Sequence, residues 1–301
     1  MNESNTISII VIVYNGEETI GDCLESLMKL TYPSEKREVI VVDNASTDTT
    51  PSIIKQYPVQ YIYEPRRGRA IARNTGVQAA SGEYLAFIDA DCIAESPWVN
   101  QIMGRFSNDD AIGAVAGAVL AEPVNPIERY IAYRKIVDQE KMLEPGRCCS
   151  PPFALTANLV LRKKVFETIG LFDQERLPIT GEDADLCWRM QWAGFKLAYE
   201  PSAKVWHKHR SSIASLFKQV YGYGFSNVSL FAKHRVHFKR RAWIDLRYYA
   251  WLIKAILKIP YSQIVERDSF MRRLPYYDMV ANFAIIYGKI RGSLYHKCLV
   301  L

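Results

Sequence analysis

The chain has 301 residues, 49% of them apolar and 23% charged, a balance that builds a sizeable core and excludes global disorder. Its formal charge of +6 hides a split: residues 203–301 carry 18 Lys and Arg against 4 Asp and Glu (net +14), and residues 1–202 carry 20 against 28 (net −8). An acidic body with a basic tail points to a metal-using end and to an end that faces anionic matter.

Residues 7–13 form a near-continuous β-branched run, the pattern of a strand buried on both faces of a parallel sheet. Helical spacing follows at Ile20, Leu24, Leu27 and Met28. Residues 38–42 predict a second strand ending at Asp43, 49–57 a short helix, and 59–63 a third strand. A helix over 69–80 then leads to a fourth strand, 83–88, ending at Asp89. This alternation predicts βαβ units in a doubly wound, mostly parallel sheet, whose ligands bind outside the carboxyl ends of the strands. Tyr14, Asn15, Asp43, Asp89 and Asp91 all fall at that edge. Farther along, the pattern predicts a strand over 112–120, a helix over 127–141, a Pro- and Cys-rich loop over 145–152, and a strand over 153–161 with a helix from Lys163. Gly181 opens a helix through Trp192 that Gly194 caps; 196–199 and 203–206 are short strands, and from Ser211 the chain reads as helical.

Cys23, Cys92, Cys148, Cys149, Cys187 and Cys298 form no C-x-x-C pair and read as reduced thiols of a cytosolic protein. Met1 to Asn5 lacks a basic n-region, and no stretch approaches the ~20 apolar residues of a spanning helix, so a cytoplasmic location is expected.

Phe87-Ile88-Asp89-Ala90-Asp91 puts two carboxylates at i, i+2 just past a buried strand. Such a pair can share a hard divalent cation with diphosphate oxygens, or simply solvate a strand end. Asp43 closes a second strand and can accept a hydrogen bond from the ring N–H of a nucleobase; in the turn after it, Ser46 and Asp48 are ligand contacts or helix caps. Arginine forks match phosphate oxygens. Around Gly68, Arg66 and Arg67 read as a solvated basic face, and Arg73, one turn beyond Arg69, as the arginine that turns inward. Glu182, Asp183 and Asp185 begin a helix, where acids favour the dipole or supply a catalytic base. His207 and His209, i, i+2 after a strand, can offer a neutral imidazole to a metal.

In their order these pieces resemble the family-2 glycosyltransferases with a GT-A fold, over roughly residues 7–235. The resemblance rests on Val13-Tyr14-Asn15, Val41-Val42-Asp43, Ala72-Arg73-Asn74-Thr75-Gly76, Phe87 to Asp91, Thr156-Ala157-Asn158 before Leu161-Arg162, Gly181-Glu182-Asp183 with Asp185, Leu186 and Arg189, and His207. It implies a GT-A catalytic domain over 1–235 in which Tyr14, Asn15, Asp43, Ser46, Asp48, Arg73 and Asp89 bind a nucleotide-diphospho-sugar donor. It further implies that Asp91, with Asp89 and either His207 or His209, holds Mg²⁺ or Mn²⁺ against the diphosphate. Asp183 would be the general base of an inverting transfer and Glu182 an acceptor-side contact. Phe87 to Ile93 also resembles the opening motif of haloacid-dehalogenase-like phosphatases, with Asp89 as nucleophile, although there the motif closes the first strand. A catalytically silent membrane-surface adaptor on the same fold is a third reading.

Lys233, Arg235, Lys239, Arg240 and Arg241 precede the segment 243–259, where Arg247, Lys254 and Lys258 recur at i, i+7, i+11 among Trp251, Leu252, Ile256 and Ile259. An amphipathic cationic helix of this kind suits an anionic bilayer interface; a helical hairpin packed on the catalytic domain or on a second copy satisfies the same periodicity. The 236–301 tail is therefore expected at the inner face of the plasma membrane, with a lipid-linked or glycan acceptor in envelope or exopolysaccharide synthesis. No nucleic-acid recognition motif accompanies the charge, and homo-oligomerisation stays open.

Overall fold

The computed structural model describes residues 5–144, 151–238 and 242–300, and divides into two compact units. Cys148, Cys149, most of the expected 145–152 loop, and Lys239, Arg240 and Arg241 lie outside the described residues.

Unit one takes in residues 1–122, 137–174 and 182–208. Its described residues form one sheet from β1 (Ile7–Val13), β2 (Arg37–Asp43), β3 (Gln60–Tyr63), β4 (Tyr84–Asp89), β5 (Cys92–Ala94), β6 (Ile112–Leu120), β7 (Asn158–Arg162) and β8 (Lys196–His207), in the order β3-β2-β1-β4-β7-β6-β8-β5. β3, β2, β1 and β4 run parallel; β7 is antiparallel to both its neighbours, β8 is parallel to β6, and β5 pairs antiparallel with β8.

The alternation of β1 explains its near-continuous apolar run, broken only by Ser8. Ile7, Ile9, Val11 and Val13 enter one layer with Ile20, Leu24 and Leu27 of the Ile20–Met28 helix. Ile10 enters the other, with Val42 and Phe87 of neighbouring strands and Ala72, Val77, Leu186 and Met190 of the Arg69–Ala79 and Glu182–Trp192 helices. Each large side chain so buried stabilises the unit by about 1.5–3 kcal/mol. Gly76 lets the Arg69–Ala79 helix lie close, because a Cβ there would sit 2.5 Å from Ile10 Cγ2.

Three expected elements differ. The helix over 127–141 is two, Pro126–Tyr133 and Gln139–Met142: Asn125 caps the first, and Lys135, at φ 51°, leaves the helical region between them. The short strands at 196–199 and 203–206 are one strand, with Pro201 accommodated where the β6 register jumps from Glu200 to Lys204. The strand expected over 153–161 is confined to β7.

Unit two takes in residues 123–136, 175–181 and 209–301, so the expected boundary at 235/236 falls inside it. The Ile213–Lys233 helix crosses the Ser269–His296 helix at glycines: a Cβ on Gly224 would sit 2.2 Å from Ile285 O, and one on Gly288 2.2 Å from Tyr221 O. The Arg247–Val265 helix forms a hairpin with Ser269–His296, whose start Asp268 caps by accepting from the Phe270 and Met271 amides at 2.9 Å. Tyr130 Oη and Arg134 Nε donate to Asp278 at 3.1 and 2.8 Å, tying Pro126–Tyr133 to the hairpin. Among the described residues, no helix is long and apolar enough to cross a membrane.

Candidate functional site

The parallel half of the sheet aligns its carboxyl ends. Val13 pairs with Asp43 and Ile12 with Asp89, so Tyr14, Asp43 and Asp89 leave three adjacent strands at one level. Cys92 pairs with His207, which brings the end of β8 to the turn that follows β4.

At the β1–β2 end, polar side chains lace two loops together. Ser46 Oγ accepts from Asn15 N at 2.9 Å, and Asn15 Oδ1 accepts from Thr47 N at 2.8 Å, which holds Asn15 at φ 47°. Asp48 accepts from Glu17 N and Thr50 N at 3.3 and 3.1 Å. Asn15, Ser46 and Asp48 thus shape the loops with the atoms they would offer a donor. Asp43 is fully buried: Oδ1 accepts from Ser46 N and Oδ2 from Tyr61 Oη, both at 2.9 Å. Each oxygen keeps a second lone pair. Burial, and then the bond to Asp43, pushes the Tyr61 phenol up to about 12.

Two neighbours were not singled out in the sequence. Asn44 accepts from Gly68 N at 2.8 Å and donates to Arg66 O at 2.7 Å, fastening the loop before the Arg69–Ala79 helix. Buried Glu64 accepts from Arg66 Nε at 2.8 Å and Thr75 Oγ1 at 2.7 Å; these bonds, Arg66 foremost, pull its carboxyl down to about 2 against the effect of burial. Arg66 is therefore a partner of a buried acid rather than simply a solvated cation. Arg67 lies over the ring of the half-exposed Tyr14, its guanidinium carbon 3.0 Å from the centroid.

Arg73 turns inward, as expected, and gathers carboxylates from distant parts of the chain. It is 4% exposed, donates to Glu182 Oε1 at 2.6 Å, and lies 3.5 Å from both Asp183 Oδ1 and Asp89 Oδ1. Burial works against the charge of Arg73, but Asp183, Glu182 and Asp89 outweigh it and raise its proton affinity above the ordinary value. Asp183 also accepts from Thr156 N at 3.2 Å and Thr156 Oγ1 at 3.1 Å. Burial lifts its carboxyl most, Arg73 opposes, Glu182 and Asp89 add, and the result is pushed up to about 6. Asp185 points elsewhere, fully buried and bonded to Arg189 Nε at 2.9 Å.

Asp91 completes the edge. Its Oδ1 lies 3.5 Å from His207 Nε2, and among the described residues the ligand atoms of Asp91, Cys92 and His207 fall within 4.8 Å of one another. Burial, with Asp89 and Asp91 adding, pushes the Cys92 thiol well above its ordinary value, so Cys92 faces the cluster as a neutral thiol. The Asp91 carboxylate suits Mg²⁺ or Mn²⁺, the His207 imidazole favours Mn²⁺ of the two, and a protonated thiol is a poor ligand for either. His209, the sequence alternative, is buried and lies outside this cluster.

A parallel half-sheet with acidic strand ends, extended by an antiparallel strand and a bulged strand pair, has the GT-A architecture. The same fold is seen in a solved mannosyltransferase, PcManGT from Pyrobaculum calidifontis in complex with GDP-Man and Mn²⁺, which matches with a TM-score of 0.66 at 19% identity, over 97% of this chain and 88% of that one. The sequence profile of glycosyl transferase family 2 matches residues 8–170. The chain belongs to glycosyl transferase family 2 and is a glycosyltransferase. It is 29% identical over 262 residues to the glycosyltransferase AglE of Haloferax volcanii, covering 84% of this chain and 82% of that protein. It is 30% identical over 237 residues to the pre-mycofactocin glycosyltransferase of Mycobacterium tuberculosis, covering 76% of this chain but 48% of that protein.

Proposed function

We propose that this glycosyltransferase is inverting and metal-dependent, moving one sugar from a nucleoside-diphosphate-sugar donor to a lipid-linked or glycan acceptor in cell-envelope or exopolysaccharide assembly. The observation that carries the reading is the convergence of Asp89, Glu182 and Asp183 on one buried arginine, with Asp91 two residues from Asp89 and His207 beside it. Transfer with inversion needs a base on the acceptor side and charge neutralisation on the diphosphate side, and this edge offers both residue types.

In this reading Tyr14 and Asp43 hold the donor base, Asp89 the ribose, and Asp91 with His207 the cation; Mg²⁺ or Mn²⁺ bound there would neutralise charge on the departing diphosphate. The complex of PcManGT with GDP-Man and Mn²⁺ supports a nucleotide-sugar donor and a divalent cation as the ligands. Asp183 takes the acceptor hydroxyl proton as the oxygen attacks the anomeric carbon and the bond to the diphosphate breaks. A carboxylate raised to about 6 is a better base than an ordinary aspartate and still ionised at neutral pH. Thr156 and Arg73 fix its orientation. In this reading Glu182, on the acceptor side, accepts from Arg73 at 2.6 Å, and Arg73, on the donor side, also ties Glu182 and Asp183 to Asp89. We place the reaction at an anionic membrane surface on the cytoplasmic side.

A thermal-shift screen of nucleoside diphosphates with and without Mn²⁺ tests the donor half. One diphosphate is expected to raise the melting temperature only with the metal; stabilisation indifferent to the metal, or none by any nucleotide, would count against it.

A further inference from the structure

The Arg247–Val265 helix packs one face and leaves another bare. Its inner stripe, Leu252, Ala255, Ile259 and Ser262, is buried or half-buried. Its outer stripe runs at i, i+3, i+4, i+8, i+11 through Ile253, Ile256, Leu257, Tyr261 and Ile264, with Leu257 70% and Ile264 86% exposed. On the Ser269–His296 helix, Tyr276, Phe283, Tyr287, Ile290 and Leu294 form a second exposed stripe at i, i+7, i+11, i+14, i+18. Ile256 of the first stripe and Phe283 of the second both line an apolar groove of about 700 Å³, together with Ile213, Phe217, Leu252 and Met279. Apolar surface on this scale marks an interaction site.

The flanking charge selects the partner. Lys254 and Lys258 stand exposed along one side of the outer stripe; Arg247, expected in the same row, is drawn to Asp245 at 2.7 Å. Arg267, Arg272 and Arg273 are exposed at the hairpin turn, and residues 209–301 hold 16 Lys and Arg against 4 Asp and Glu. Two copies of so basic a unit repel across this face, whereas an anionic bilayer attracts it. The geometry points to a lipid-binding surface: the hairpin lies flat in the headgroup layer of an anionic phospholipid membrane, both stripes enter the acyl boundary, and the groove takes one acyl chain. This deepens the membrane-surface reading above by naming the elements that make it, and it is independent of the chemistry assigned to Asp183.

Flotation of the full chain with vesicles of phosphatidylcholine, with and without phosphatidylglycerol, tests it. Wild-type protein is expected to float with the anionic vesicles and to be released by salt. Lys254→Gln and Lys258→Gln should each weaken partition roughly fivefold, and the double variant Leu257→Ser/Ile264→Ser roughly tenfold or more. Because the substituted side chains are exposed, melting temperature and nucleoside-diphosphate binding should not change. Absence of flotation with anionic vesicles, flotation undiminished in Leu257→Ser/Ile264→Ser, or a wild-type dimer that this variant dissolves would overturn the proposal. Loss of nucleotide binding in wild type would instead strike the transferase reading.

Discussion

Unit one buries charge at its sheet edge, whereas unit two exposes apolar surface along its hairpin. Arg73 and Glu182 are withdrawn from water on the first; Leu257, Tyr261 and Ile264 are left in it on the second. Both reverse the ordinary sorting of side chains, and both cost stability that a fold alone does not need to give up. The difference lies in what completes each region. The buried charges satisfy one another inside the unit, so that edge is organised in advance of its ligand. The exposed apolar stripes have no covering element among the described residues and await a partner.

Breaking the charged region should have the largest effects. Asp183→Asn is expected to lower transfer roughly 10²–10⁴-fold, read as turnover with saturating donor. Arg73→Met strands three carboxylates and should destabilise the fold by about 3–5 kcal/mol in denaturant titrations, part of which Glu182→Gln in the same chain should restore.

The pH response sharpens the contrast further. Asp183 binds its proton more tightly folded than unfolded, so the stability linked to it is complete below its ordinary value of 3.8 and lost as pH rises through about 6. With Asp183 as the proposed base, transfer requires the ionised carboxylate and should rise across the same window. Stability and activity therefore run in opposite directions there, and the stability of wild type relative to Asp183→Asn should fall from pH 3.8 to about 6. Glu64 titrates the other way: its stabilisation is present above 4.5 and lost as pH falls through about 2. Because Arg66 is largely exposed, Glu64→Gln should cost only about 1–2 kcal/mol near neutrality. Ser46→Ala, which removes one loop bond to Asn15 N, should cost least, about 0.5–1 kcal/mol by thermal unfolding. In unit two, no single exposed apolar substitution is expected to move stability at all.

Much of this was legible in the residues because it was local. β1 was readable to its last residue from β-branching, and Asp43, Asp89 and Asp91 from their place after buried strands. The helix Trp98–Phe106 was not, since its Pro97 boundary carries no side-chain cap, and three-residue β5 is too short for any periodicity. Contacts between distant residues were equally hidden. Arg73 and Glu182 are 109 positions apart, and nothing in either segment states that they meet. Asn158, quoted only as part of a motif, binds Trp98, Ala118 and Ala203 across three elements, a role no local pattern announces. Arg66 misled because an exposed arginine next to Arg67 looks solvated until Glu64 is found beneath it.

The proposed division of labour between Asp91 and Asp183 is tested most directly by calorimetry of a nucleoside diphosphate, with and without Mn²⁺, against wild type, Asp91→Asn and Asp183→Asn. Metal-dependent binding in wild type, lost in Asp91→Asn and retained in Asp183→Asn while both variants are impaired in transfer, is the expected result. Equal loss of binding in both variants, or wild-type binding that ignores the metal, would contradict it.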